Sequence, residues 1–151
     1  MKNLKFYFCV LFILEFGLNL FSIEYERFVL DNGLEVYSVQ DNSTPISTVF
    51  YVNQAGFSSQ SPHNTGFFEL YSNLFWQTNP DFETLSKKIL ISNLESSIMN
   101  DQSVFSYSVP TDFLENSLEL LSFQLKSPSF QTETMKSAFS QMKDKIKTFE
   151  I

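Results

Sequence analysis

Histidine and cysteine carry much of the nucleophilic and metal chemistry of proteins, and this 151-residue chain holds one of each, His63 and Cys9. Cys9 lies inside the apolar run Phe6 to Leu14, where it reads as part of a targeting segment rather than as a reactive thiol. A Ser-His-Asp triad would have to be built on His63, yet no Gly-x-Ser-x-Gly turn is present to expose a serine nucleophile. Gly33, Gly56 and Gly66 are too scattered to form a phosphate-cradling loop. Phe67, Phe68, Phe75 and Trp76 could suggest an aromatic ligand box, but at helical spacing they read as core. With 10 Lys+Arg against 17 Asp+Glu, a net charge of −7, the chain has the wrong sign for neutralising phosphates, so nucleic acid is not the expected partner.

The elements that would position any site begin after residue 22. Lys2 and Lys5 precede the apolar run, and Leu20-Phe21-Ser22 offers a weak cleavage point, the pattern of a secretory signal. Glu15 and Asn19 interrupt the apolar stretch, which falls short of a spanning helix, although an uncleaved anchor stays open. The expectation is an exported protein, periplasmic or otherwise extracytoplasmic. Cleavage would remove Cys9, so no disulfide could form and packing alone would hold the fold.

Two strand-like stretches between Tyr25 and Gln40 flank Asp31-Asn32-Gly33, where Asn and Gly tolerate the positive φ of a tight hairpin turn. Ile46, Thr48, Phe50 and Val52 share one face of a third strand, Ile46 to Gln54. A loop of Ser, Pro and Asn, Gly56 to Asn64, leads to an apolar helix over Thr65 to Trp76, and a second helix spans Asp81 to about Ile91. Asn93 to Met99 and Gln102 to Val109 form a hairpin around Asn100-Asp101, with Phe105, Tyr107 and Val109 alternating with serines. Thr111 or Asp112 caps a helix carrying Phe113, Leu114, Leu118, Leu121 and Leu125; Pro128 closes it, and a more polar helix covers Glu133 to Ile151. The order β-β-β-α-α-β-β-α-α implies an α+β fold, helices packed on one face of a mostly antiparallel sheet.

Several short strings, taken in order, resemble the N-terminal domain of the insulinase/pitrilysin family of zinc metallopeptidases. They are Leu30-Asp31-Asn32-Gly33-Leu34-Glu35-Val36-Tyr37, Ser43-Thr44-Pro45, Ala55-Gly56, Thr65-Gly66, Asn100-Asp101-Gln102 to Val109-Pro110, and Leu114-Glu115-Asn116-Ser117-Leu118 through Ser127-Pro128-Ser129-Phe130. The three glycines outside the signal fall at turns of this pattern.

Active members of that family carry His-x-x-Glu-His on the first helix, two zinc ligands one turn apart and a general base between them. Aligned on Thr65-Gly66 and Leu74-Phe75, this chain has Glu69, Leu70, Tyr71, Ser72 and Asn73 there. Both histidines and the general base are absent, and Ser72 cannot accept a proton usefully near neutral pH. The third ligand, a later Glu, is matched in place by Glu150. Glu69, Asn73 and Glu150 would offer hard oxygen donors suited to calcium, magnesium or manganese rather than a hydrolytic zinc site. No catalytic or metal residue is therefore assigned; zinc is expected in active relatives and not here.

What the resemblance implies is a non-catalytic domain at residues 23–151, incomplete relative to the family's domain, which continues past the position of Ile151. In the family, active and degenerate domains together enclose a peptide-binding chamber, so the expected partner is a homologous peptidase subunit, with a peptide as possible ligand and a membrane only through an uncleaved signal. The alternatives are a metal-dependent peptidase remodelled around Glu69, Glu150 and His63, and a truncated product without function.

Overall fold

The structure, a computed structural model, describes residues 24–77, 81–126 and 130–149, with side chains through 143. The segment through Ser22 with Cys9, Pro128 and Glu150 lie outside the described residues. Two compact units divide at Ser43–Thr44.

The first unit holds an antiparallel hairpin, β1 (Tyr25–Val29) and β2 (Glu35–Val39), paired from Tyr25↔Val39 to Val29↔Glu35. Its turn works differently from the sequence expectation. Only Gly33 takes a left-handed φ, of 84°. Asn32 contributes its side chain instead, Oδ1 accepting the Leu34 N–H at 3.1 Å. Gly33 N donates to Leu30 O at 2.8 Å and Leu30 N to Leu34 O at 2.9 Å, a tight turn followed by a glycine bulge.

The second unit is an α+β layer. A three-stranded antiparallel sheet has the order β3 (Ile46–Asn53), β5 (Ser103–Pro110), β4 (Ser92–Ile98). The helices are α1 (Phe67–Leu74), α2 (Phe82–Lys88), α3 (Leu114–Lys126) and α4 (Thr132–Phe149). With the hairpin of the first unit, this is the element order that the periodicities imply. The alternation on β5 sends Phe105, Tyr107 and Val109 to one face, where each is at most 2% exposed and packs with Phe75 and Leu121. Phe75 and Phe105 stack with centroids 3.8 Å apart, and Trp76 meets Phe75 edge-on at 4.7 Å. Burying each such ring contributes roughly 2–3 kcal/mol. Buried Tyr107 donates its hydroxyl to Ser117 Oγ at 3.1 Å, which passes its own proton to Leu114 O at 2.7 Å, so the polar tip is satisfied.

As expected, Ile46, Thr48, Phe50 and Val52 share a face of β3; it is the open one, with Phe50 64% exposed, and Val49 and Tyr51 face the core. Other local expectations are corrected. Phe67 is exposed rather than core. The second helix stops at Lys88 because Leu90 turns left-handed at φ 60° and Ile91 N bonds back to Ser86 O at 2.9 Å, a Schellman closure. Neither Thr111 nor Asp112 caps α3: both sit in a 3₁₀ turn, Thr111–Phe113, that runs straight into the helix. Thr111 instead anchors the turn to the start of β3, its N–H on Pro45 O at 3.0 Å and its Oγ1 3.1 Å from Ser47 Oγ.

Candidate functional site

The first helix is entered through a loop that binds itself. Asn64 Oδ1 accepts from both the Ser61 N–H and Ser61 Oγ, and Thr65 Oγ1 donates to Ser61 O at 3.1 Å. Gly66 then adopts φ 85°, a conformation only glycine holds without strain, with its N–H on Gln60 Oε1 at 2.6 Å. From there α1 splits its residues among three directions. Leu70 and Leu74 cluster with Ala138 of α4; Tyr71, with Phe75 in the 3₁₀ turn Phe75–Gln77 that continues the helix, joins the aromatic core of the sheet; Glu69, Ser72 and Asn73 are half-buried.

The 69–73 spacing places Glu69 and Asn73 one turn apart on one face of the helix, with Ser72 beside them. Ser72 Oγ donates to Glu69 O at 2.8 Å, so its proton is committed to its own helix. The Asn73 carbonyl accepts Gln77 Nε2 at 3.0 Å. Tyr71, between them, lies edge-on to Phe75 and Phe105 at 5.8 and 5.9 Å; burial, assisted by Tyr51, pushes its phenol pKa up. This donor set does not fit zinc: beside one carboxylate it offers an amide and a back-bonded hydroxyl, and no imidazole or thiolate. Glu150, the third member, lies outside the described residues. Among the described residues no group of three or more His, Cys, Asp or Glu lies together. His63 is exposed in the loop.

Sequence reasoning missed the surface groove beside α1, about 480 Å³, lined by Phe57, Gln60, Ser61, Pro62, Thr65, Gly66 and Glu69. Gln60, Ser61 and Thr65 use hydrogen-bonding atoms to brace the loop, which gives the groove a structural explanation. A glutamine six residues before a left-handed glycine belongs to no recognisable motif, so nothing in the sequence pointed to it.

No family model matches the chain, and no curated protein matches it. Among solved structures it is similar to a protease from Helicobacter pylori, with a TM-score of 0.68 and 19% identity over 78% of this chain. The match covers 29% of that protein's chain. At that identity the likeness establishes the fold alone: this chain shares the fold of part of that protein. Among the described residues no helix is long and apolar enough to cross a membrane.

Proposed function

We propose that the chain is an exported, catalytically silent domain of insulinase/pitrilysin type that serves as a partner or chamber-forming subunit of an active peptidase. One observation carries the reading. On the first helix of a protease-like fold, the positions that resemble a zinc motif hold Glu69, Ser72 and Asn73, and the Ser72 hydroxyl is turned onto its own backbone. What remains for such a domain is shape: a sheet and helices that can wall a peptide chamber without cutting.

The test is direct. The purified chain is expected to leave unfolded peptides intact with or without added zinc, and to retain no stoichiometric zinc after dialysis. When co-exported with a homologue carrying His-x-x-Glu-His, it is expected to be recovered in complex with it. Chelator-sensitive cleavage by this chain alone would overturn the proposal in favour of a remodelled metal site using Glu69, Glu150 and His63.

A further inference from the structure

The turn of the first hairpin juxtaposes an asparagine and a glycine, Asn32-Gly33, both exposed. Asparagine followed by glycine is the dipeptide least protected against attack on its own side chain, because glycine has no Cβ to obstruct the approach of its backbone nitrogen. In the reaction the Gly33 nitrogen gives up its proton and bonds to Asn32 Cγ, and the amide nitrogen leaves with a proton as ammonia, closing a five-membered succinimide. Water then opens the ring at either carbonyl, giving aspartate or isoaspartate.

Here both reacting groups are held. The Gly33 N–H is donated to Leu30 O at 2.8 Å, and Asn32 Oδ1 is occupied by the Leu34 N–H at 3.1 Å. The nucleophile therefore keeps its proton and the electrophile its orientation while the hairpin is closed. Within its sheet each strand of the hairpin pairs only with the other, and a two-stranded pairing gains little by itself. Cross-strand side chains brace it: Arg27 bonds Glu35 Oε1 at 3.0 Å and Tyr37 Oη at 3.1 Å, and Tyr37 Oη donates to Glu35 Oε2 at 2.9 Å.

We propose that Asn32 is a spontaneous deamidation site whose rate is gated by opening of the β1–β2 hairpin. The isoaspartate product routes the main chain through Cβ and Cγ, adding one carbon to the loop that the Leu30 N–Leu34 O bond closes. Conversion thus works against reclosure, and the site records how often the hairpin opens.

The experiment incubates the protein, folded and in urea, at mildly alkaline pH and follows isoaspartate by peptide mapping and methyltransferase labelling. Asn42, followed by Ser43, and Asn100, followed by Asp101, serve as internal references. In urea Asn32 is expected to react ahead of both. In the folded protein it slows, and Arg27→Ala speeds it by about 1.5- to fivefold, the range of cross-strand pair energies, with no effect in urea. If Asn32 reacts no faster than the references in urea, the site is wrong. Equal folded and unfolded rates, or an unchanged rate in Arg27→Ala, overturn the gating.

Discussion

Gly56→Ala offers the sharpest test of how the second unit is held together. Gly56 is buried where β3 ends, and its backbone is extended, at φ −152°, so an alanine meets no conformational strain there. The obstacle is space: a Cβ would lie 2.2 Å from Met99 O, 2.8 Å from Gln102 N and 2.9 Å from Asn100 C. Ordinary C···O contacts run to about 3.3 Å or more, so the overlap is roughly 1 Å and falls on backbone, which cannot swing aside. Separating the two segments strains the bonds that join them, Phe57 N–Met99 O at 2.9 Å, Ser58 N–Asn100 O at 2.7 Å and Ser58 Oγ–Asn100 O at 2.6 Å. At about 1 kcal/mol per hydrogen bond, and with overpacking costs of similar size, the expected loss is about 2–4 kcal/mol. That is a large share of a domain's typical 5–15 kcal/mol or so. Urea denaturation followed by Trp76, the one tryptophan, reads it as a midpoint lower by about 1–2 M. Gly66→Ala is the control: its φ is 85°, but its Cβ meets only Met142 Cε, the far end of a flexible side chain, at 3.2 Å, so about 1–2 kcal/mol of left-handed strain is the main cost. A Gly56→Ala midpoint matching the parent, or one less affected than Gly66→Ala, would refute the argument.

Two further outcomes follow from the same structure. Leu90→Gly is expected to raise stability by up to about 1 kcal/mol in urea titrations, because a 59% exposed leucine occupies the left-handed position of a Schellman closure; a loss instead would mean that Leu90 makes contacts worth more than its strain. Burial raises the Tyr107 pKa in the folded state, so its contribution is whole below the ordinary tyrosine value of about 10 and is lost as pH rises through the folded value. Midpoints measured across alkaline pH should therefore fall above about pH 10, and fall less in Tyr107→Phe, which at neutral pH costs about 1 kcal/mol for the Ser117 bond.

What was legible in the sequence is what depends on periodicity. Phe105, Tyr107 and Val109 announce a strand with one deeply buried face, and Leu121 announces the helix that covers it. Those features follow from where apolar side chains must point. What was illegible depends on contacts between distant segments. Gly56 looks like any glycine after a strand, yet it is required by the passing backbone at Met99, forty-odd residues later. Leu90 adopts positive φ without being glycine, so no residue type marks the end of α2, and Asn93, which does tolerate positive φ, lies inside β4 at the irregularity between Ser92 and Glu95, where the strand pattern gave no reason to expect it. Thr111 looks like a cap but is engaged by Pro45 and Ser47, partners that only the folded sheet supplies.

The candidate site was legible only as a set of positions, and the structure shows which other residues fix the helix that carries them. Two directions of α1 are fixed by packing, Leu70 and Leu74 against α4, Tyr71 and Phe75 against the sheet. Rotating the helix to bring other side chains into the place of Glu69, Ser72 and Asn73 would pull Phe75, 1% exposed and stacked on Phe105, out of the core. The register is therefore locked by residues other than those three. Losing an apolar anchor such as Leu74 costs several kcal/mol, whereas exchanging a half-buried polar residue that anchors no core cluster costs far less. The placement of α1 is thus carried by the two faces that pack, whatever side chains stand at 69, 72 and 73.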